Sequence, residues 1–253
     1  MLARRTLMTG LAGLPLAAIL ADPRLAALAA EATETVSITT KGGETVSGAI
    51  ALPATQPAAA LLLIHEWWGL NNEIKTMAAE FAKEGYVALA ADLYGGSVAT
   101  SPQEAQALMQ SVDNKKATDT LVSWIEWLRA NPAVNGKVAT IGWCFGGGWA
   151  INAAIATPVE ATVIYYGQLP QSAAEVKSVA GPVLGHFGEK DKFITREMVA
   201  GFERAMKEAG KPLTVHWYDA DHAFANPTGA NYDKDDAQVA LKRTLEFLKQ
   251  ALG

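Results

Sequence analysis

Polar and apolar residues alternate in the first part of the body of the chain, and continuous apolar runs follow. The alternation over 35–40 and 45–52, on either side of the Lys41-Gly42-Gly43 turn, predicts an N-terminal antiparallel hairpin. Residues 58–64 form an unbroken apolar run of strand length, which is typical of a strand buried on both faces of a parallel sheet. Shorter runs predict further strands at 86–91, 138–141, 161–166, 183–187 and 213–218.

Segments with helical spacing separate these strands. Apolar residues three and four apart predict a helix over 73–83. A long helical region opens at Ser101-Pro102 and is expected in two pieces, with Trp124 and Trp127 packed in the core. Further helices are predicted at 145–156, 195–209 and 233–252. This alternation predicts an α/β protein with a mostly parallel sheet, helices on both faces and right-handed crossovers.

The first 29 residues have the features of an export signal. Arg4 and Arg5 precede a moderately apolar run over 7–21, and Ala27-Leu28-Ala29 offers a small-x-small cleavage site. The run is too short for a stable membrane anchor. The predicted divisions are a twin-arginine signal over 1–29 and one domain over 30–253, with a periplasmic location. An N-terminal helix that stays on the protein is the alternative.

Composition and charge exclude several classes of function. Hydrophobic residues make up 50% of the chain and charged residues 19%, as in ordinary globular proteins. The formal net charge is −5 and the body of the chain has no basic cluster, so we expect no nucleic-acid partner. The single cysteine, Cys144, excludes an internal disulfide and a multi-thiolate zinc site.

Cys144 lies in the pattern Gly-x-Cys-x-Gly, between the predicted strand at 138–141 and the predicted helix at 145–156. This is the pattern of a nucleophile elbow, in which Gly142 and Gly146 allow a turn too tight for side chains. The sulfur would stand at the carboxyl end of a strand and at a helix N-terminus, where the helix dipole favours thiolate over thiol. A small buried core cysteine is the alternative interpretation.

Polar residues follow most of the predicted strands, where the functional groups of an open α/β sheet collect. They are Glu66, Asp92, Tyr94, Cys144, the 188–191 segment and the 219–222 segment. A thiol nucleophile needs a base, and the base needs a carboxylate that fixes its tautomer. Cys144, Asp191 and His222 supply these groups in the chain order nucleophile, acid, histidine.

Four histidines are candidates for the base, and His222 is preferred because it follows a strand. The other three, His65, His186 and His216, lie within or at the edge of apolar runs, where a structural role is expected. His65 does not start a zinc-binding helix, because the position four residues later is Gly69. No other cluster has ligand spacing and no phosphate-binding glycine loop is present, so we expect neither a metal nor a cofactor.

Asp191 has competitors as the acid that orients His222. Glu189 lies two residues before it, and Asp219 and Asp221 precede the histidine closely. Those two aspartates are too close to it in sequence to reach the far ring nitrogen comfortably, which favours Asp191. Each carboxylate taken alone would be interpreted as a loop or capping residue.

Five short motifs extend across residues 45–250. In chain order they are His65-Glu66-Trp67-Trp68-Gly69-Leu70-Asn71, Ala91-Asp92-Leu93-Tyr94, Gly142-Trp143-Cys144-Phe145-Gly146-Gly147, Gly188-Glu189-Lys190-Asp191 and Asp221-His222-Ala223-Phe224. Together they resemble the dienelactone hydrolase family. The resemblance implies an α/β-hydrolase fold and a catalytic triad of Cys144, His222 and Asp191.

The same resemblance implies roles for residues around the cysteine. Glu66 matches the family glutamate that contacts the resting cysteine and helps to form the thiolate when substrate arrives. The backbone N–H groups of Trp67 and Phe145 are expected to form the oxyanion hole. Such preorganised donors are typically worth a few kcal/mol in the transition state.

Two positions depart from the family pattern. Members that hydrolyse dienelactone carry an arginine two residues after Asp-Leu-Tyr and another four residues after the histidine, and both contact the substrate carboxylate. This chain has Gly96 and Asn226 there, so it lacks a bidentate carboxylate clamp. Three tryptophans, Trp67, Trp68 and Trp143, are candidates for an apolar pocket wall, with core packing as the alternative.

The sequence therefore predicts a hydrolase of carboxylic esters or lactones with a small-molecule substrate and no stable membrane anchor. It does not determine the oligomeric state, for which a monomer is favoured. A second hypothesis is a catalytically idle protein of the same fold that binds a small ligand or uses Cys144 as a thiol redox switch. All members of the expected relay are present, which favours the hydrolase.

Overall fold

One mixed sheet of eight strands organises the computed structural model, which describes residues 16–253. The strands are β1 (Glu34–Thr39), β2 (Thr45–Ala51), β3 (Ala58–Ile64), β4 (Val87–Ala91), β5 (Val134–Trp143), β6 (Ala161–Tyr165), β7 (Val183–Gly188) and β8 (Leu213–Tyr218). Their order in the sheet is β1-β2-β4-β3-β5-β6-β7-β8. The β1–β2 and β2–β4 pairs are antiparallel and all later pairs are parallel, so the carboxyl ends of β3 to β8 meet at one edge.

Helices precede and connect these strands. Those of the described residues are α1 (Leu16–Ala21), α2 (Pro23–Ala30), α3 (Asn72–Lys83), α4 (Pro102–Ser111), α5 (Asn114–Ala130), α6 (Phe145–Ala156), α7 (Ala173–Val176), α8 (Arg196–Glu208) and α9 (Lys234–Leu252). The observed alternation of strand and helix confirms the predicted α/β class, including the N-terminal hairpin.

The side chains of β3 alternate between two hydrophobic layers. Leu61 and Leu63 pack with residues of α3 and α9, whereas Leu62 and Ile64 pack with residues of α5 and α6. All four side chains are fully buried, and burial of one such side chain is worth roughly 1.5–3 kcal/mol. Helices therefore cover both faces of the sheet, as the unbroken apolar run predicted.

The long helical region after residue 101 is divided in two, as expected. Helix α4 ends because Val112 is extended, and Asp113 then caps α5 by accepting hydrogen bonds from two amides of its first turn (2.8 and 3.0 Å). Trp124 is fully buried and Trp127 packs against the same layer, which confirms their predicted place in the core.

Six of the eight strands differ from their predicted bounds, five of them by a single residue at one or both ends. Strand β5 begins at Val134 rather than at 138, because pairing with Ala58 of β3 extends it through polar residues that no apolar pattern marks. Strand β6 ends at Tyr165, and Tyr166 leaves the strand with a φ of 38°. The four-residue helix α7 was also not predicted.

The predicted export signal falls partly outside the described residues. Residues 1–15, with both arginines, are outside them, and the rest of the segment forms α1 and most of α2. The Thr76 hydroxyl of α3 donates to the Ala26 carbonyl of α2 at 3.0 Å. No helix within residues 16–253 has the length and apolar character needed to cross a membrane. The signal and its cleavage stay predictions.

Candidate active site

The elbow after β5 holds Cys144 in a backbone conformation that L-residues rarely adopt. Its φ is 51° and its ψ is −116°. Strain of this kind costs about 1–3 kcal/mol and persists only where the surroundings fix it. A Cβ at Gly146 would lie 2.1 Å from the Ile64 carbonyl oxygen, and one at Gly142 would lie 2.0 Å from the Gly146 carbonyl oxygen. The tight turn therefore requires both glycines.

Cys144, His222 and Asp191 come into direct contact from three different loops. His222 Nε2 lies 3.2 Å from the Cys144 Sγ, and His222 Nδ1 lies 2.7 Å from the Asp191 Oδ2. A neutral imidazole that donates its Nδ1–H to a carboxylate presents an unprotonated Nε2. In this tautomer the ring can accept the thiol proton.

The loop after β7 fixes the Asp191 carboxylate. The side chain is fully buried, and its Oδ1 accepts hydrogen bonds from the Phe193 and Ile194 amides at 2.7 and 2.9 Å. These bonds leave Oδ2 directed at His222. The geometry therefore fixes the position of this carboxylate.

The three competing carboxylates have other surroundings. Glu189 forms an ion pair with Arg196, and Asp219 forms one with Lys190. Asp221 is exposed. Asp191 is thus the carboxylate that contacts the His222 ring.

Glu66 lies at the end of β3 and is buried, with an exposed fraction of 5%. Its Oε2 accepts a hydrogen bond of 2.6 Å from the Asn226 side-chain amide, and the Tyr166 hydroxyl lies 3.4 Å from its Oε1. Burial raises the pKa of Glu66 to about 8, and the charge of Glu73 adds to the rise. The hydrogen bonds from Asn226 and Tyr166 oppose it.

The Cys144 thiol is less acidic than the sequence led us to expect. Burial raises its pKa to about 12, and the negative charge of Glu66 adds to the rise. A hydrogen bond from the Phe145 amide opposes these effects, as expected at a helix N-terminus, but does not cancel them. The raised pKa favours the thiol form of the resting group.

The backbone amides of Phe145 and Trp67 are the expected oxyanion donors. The Phe145 amide is the first of α6 and already interacts with the cysteine sulfur. The Trp67 amide lies in the turn after β3, and no described residue accepts a hydrogen bond from it. Both donors stand at the carboxyl ends of neighbouring strands, because β3 and β5 are paired in parallel.

The three histidines predicted to be structural are held by their neighbours. His65 accepts a hydrogen bond from the Leu93 amide (3.2 Å), and its Nδ1 lies 2.6 Å from a carbonyl oxygen. Both ring nitrogens of His186 contact hydroxyl groups (2.8 and 3.0 Å), and His216 stacks on its ring. Within the described part of the chain, no three His, Cys, Asp or Glu side chains are grouped so that they could hold a metal ion.

The two positions that depart from the family pattern carry no charge. Asn226 is buried, with an exposed fraction of 4%, and its amide is committed to Glu66. Gly96 is exposed and has a φ of 90°, and its N–H donates to the Asp92 carboxylate. Neither position supplies a cation for a substrate carboxylate.

The three tryptophans proposed for a pocket wall separate into two groups. Trp67 and Trp68 are half-buried, and their rings pack edge to face at 5.0 Å. Trp143 is buried and its ring stacks on Tyr165 at 5.5 Å, within the layer that contains α3 and α9. Trp143 therefore has the core role that was left open, and the other two stay candidates for the wall.

Two aromatic residues beside His222 were not identified from the sequence. The rings of Tyr166 and Phe193 each lie 5.2 Å from the imidazole, and Phe193 is 71% exposed. Tyr166 could have been found, since it is the last residue of the strand predicted at 161–166 and so lies at the carboxyl edge where the other candidates collect. Phe193 lies two residues after Asp191, in a loop that no periodic pattern marks.

The sequence model of the dienelactone hydrolase family matches residues 46–252. The chain belongs to the dienelactone hydrolase family. The carboxymethylenebutenolidase of Pseudomonas putida is 32% identical to it over 231 residues, which cover 85% of this chain and 96% of the relative. Carboxymethylenebutenolidase 1 of Cupriavidus pinatubonensis is 29% identical over 223 residues, which cover 84% of this chain and 95% of the relative.

Solved structures place this member of the dienelactone hydrolase family in the expected fold. A dienelactone hydrolase-like promiscuous phosphotriesterase from metagenomic libraries superposes with a TM-score of 0.80 at 23% identity, over 88% of this chain and 100% of that one. The α/β-hydrolase fold is thereby confirmed. The family and the relatives also establish that the protein is a hydrolase of the ester- and lactone-cleaving class.

Proposed function

We propose that this hydrolase cleaves uncharged esters or lactones with Cys144 as the nucleophile, His222 as the base and Asp191 as the acid that orients the base. The observation that carries the proposal is the unbroken series of contacts from Sγ through the imidazole to the buried carboxylate, at 3.2 and 2.7 Å. A protein that only bound a ligand, or that used the thiol as a redox switch, would need neither the base nor its oriented acid.

The first half of the reaction forms a thioester. Sγ attacks the acyl carbon while His222 Nε2 takes the thiol proton, and the Asp191 carboxylate stabilises the imidazolium. The amides of Trp67 and Phe145 would bind the oxyanion, and one such donor is typically worth about 3–4 kcal/mol. His222 then gives the proton to the alkoxide oxygen as the carbon–oxygen bond breaks.

The second half releases the acid. His222 takes a proton from a water molecule as the water oxygen attacks the thioester carbon. The carbon–sulfur bond then breaks, and the proton returns from His222 to the sulfur. With a lactone the alcohol and the acid remain parts of one product molecule, so the same steps open a ring.

The surroundings of the cysteine favour an uncharged substrate. Asn226 and Gly96 supply no cation, and the buried Glu66 carboxylate would repel a second anion when it is ionised. Half-buried Trp67 and Trp68 and the exposed Phe193 offer apolar surface instead. An anionic acyl group would have to lose its hydration without gaining a charged partner.

A panel of paired substrates tests this function. We expect kcat/KM for a neutral nitrophenyl butyrate to exceed that for the nitrophenyl monoester of succinate by roughly 10- to 100-fold, because a charge-assisted hydrogen bond is worth about 1.5–3 kcal/mol. A neutral and a carboxylated γ-lactone form the matched pair for ring opening. Equal or reversed preferences would contradict the proposed substrate class, and turnover of none of the four would contradict the hydrolase itself.

We also propose that the protein is exported through the twin-arginine route, on the basis of Arg4, Arg5 and the apolar run over 7–21. In a bacterial host with that pathway, the mature protein is expected in the periplasmic fraction. Replacing Arg4→Lys together with Arg5→Lys is expected to retain the precursor in the cytoplasm. Cell fractionation and immunoblotting measure the location of each protein. Export of the double variant at the level of the unmodified protein would contradict this route.

A further inference from the structure

A second carboxyl group is connected to Glu66 by side-chain hydrogen bonds. Asn226 donates to Glu66 through its Nδ2, while its Oδ1 accepts the Thr228 amide (2.8 Å) and lies 2.7 Å from the Thr228 hydroxyl. The same hydroxyl lies 3.0 Å from the Glu73 Oε2, in the first turn of α3. We call Asn226 and Thr228 the bridge between the two carboxyl groups.

The orientation of the bridge is fixed. A backbone N–H can only donate, so the group of Asn226 that faces the Thr228 amide is the carbonyl oxygen, and its NH₂ must face Glu66. The donated bond favours the ionised form of Glu66. Anything that holds Asn226 in place therefore makes Glu66 easier to ionise.

The Thr228 hydroxyl has one hydrogen and two oxygen neighbours. When Glu73 is neutral, its carboxyl can donate to the hydroxyl, which then donates to Asn226. When Glu73 is ionised, the hydroxyl turns its hydrogen to the carboxylate, and the Asn226 oxygen keeps only the bond from the Thr228 amide. Ionisation of Glu73 thus loosens the bridge and also adds a negative charge near Glu66.

Both effects have the same sign, since each disfavours the ionised form of Glu66. Burial also raises the pKa of Glu73 to about 7, so its charge changes in the neutral range. Thr228 is exposed and Glu73 is half-buried, which lets this end of the bridge exchange protons with solvent while Glu66 is enclosed. The other titratable groups around Glu66 and Cys144 are Tyr94 after β4, Tyr166 after β6, Asp191 after β7 and His222 after β8.

We propose that Glu73 is a positioning residue that controls the ionisation of Glu66 through the bridge and through its own charge. Because the charge of Glu66 in turn sets how easily Cys144 loses its proton, Glu73 tunes the pH range of the enzyme without touching substrate. This inference rests on the proposed cysteine mechanism. It also gives Asn226 a role at a position where the family pattern has a substrate-binding arginine.

The test is the pH profile of kcat/KM for a neutral nitrophenyl ester, measured between about pH 5 and pH 10. The variant Glu66→Gln identifies the limb of the profile that reports Glu66, because that limb is expected to disappear. The variant Glu73→Gln removes the charge while its amide can still donate to Thr228. We expect the Glu66 limb to move to lower pH by roughly 0.5–1 unit, since the repulsion is lost and the bridge is held.

Glu84→Gln is the matched control, because it removes the same charge from an exposed residue just past the other end of α3. Its profile is expected to superpose on that of the unmodified protein. Glu73→Ala, which also removes the charge, is the second variant and is expected to move the limb in the same direction. A structural role alone would change the height of the profile and leave its midpoints in place.

Failure of this inference and failure of the cysteine mechanism give different results. If Cys144→Ala is inactive and the Glu73→Gln midpoints coincide with those of the unmodified protein, the role of Glu73 is wrong and the mechanism stands. A Glu66→Gln profile that keeps every limb would overturn the inference in the same way. If Cys144→Ala keeps its turnover, the mechanism itself is wrong.

Discussion

Replacing Cys144 with alanine is expected to lower kcat/KM for a neutral nitrophenyl ester by at least about 1,000-fold, because removal of a nucleophile leaves only binding and oxyanion stabilisation. The substitution should leave the fold intact. Alanine has the same Cβ and therefore adds no strain at a φ of 51°. Mass spectrometry of the acid-quenched protein should find one acyl group on the unmodified chain and none on the variant.

Cys144→Ser is the companion variant, since its hydroxyl keeps a proton donor next to His222 Nε2. Its activity is expected to lie between those of the unmodified protein and Cys144→Ala, because a hydroxyl is a weaker nucleophile than a thiolate but can use the same base. Iodoacetamide should inactivate the unmodified protein and leave any turnover of the serine variant unchanged. An alanine variant that retains more than about a tenth of kcat/KM would show that another group attacks.

A strand or helix of this fold could be predicted where the pattern of apolar residues within that one segment is enough to determine it. Leu61 to Ile64 are apolar without a break because both faces of β3 are covered, and that condition is visible in the sequence. Residues 135–137 of β5 are polar or glycine, and they belong to a strand because Val134, just before them, pairs with Ala58 of β3. Pairing is a property of two segments, so no pattern within one of them reveals it.

Some properties of the candidate site could likewise be predicted from the sequence, and others could not. The positions of Cys144, Asp191 and His222 at strand ends could be predicted, because parallel strands bring those ends to one edge of the sheet. The burial that raises the pKa of the cysteine could not, since it depends on everything packed around the sulfur. Reasoning from the helix dipole alone predicted a lowered pKa for this cysteine.

The bridge was the least predictable part of the site. Asn226 and Glu66 are 160 residues apart, and their contact depends on the loop after β8 reaching the end of β3. The sequence identified both residues, one as a family glutamate and the other as a departure from the family pattern. The hydrogen bond from Asn226 to Glu66 can be seen only in the folded structure.

Asp191→Asn is expected to lower kcat by about 10³–10⁴-fold with little change in stability, because the variant traps His222 in the wrong tautomer. The Phe193 and Ile194 amides donate to one oxygen of this side chain, so an asparagine must present its carbonyl oxygen to them. Its NH₂ group then faces His222 Nδ1, which lies 2.7 Å from that position. Nδ1 must accept, Nε2 must carry the proton, and the ring can no longer take the proton of the cysteine.

Asp221→Asn is the matched control, because it makes the same chemical change at an exposed aspartate next to His222 in sequence. Surface changes of this kind usually alter stability by less than about 0.5 kcal/mol, and we expect kcat within about twofold of the unmodified protein. Thermal unfolding of both variants distinguishes a lost tautomer from a lost fold. If Asp191→Asn keeps more than about a tenth of kcat, the carboxylate does not set the tautomer of His222, and the base must be oriented by another group.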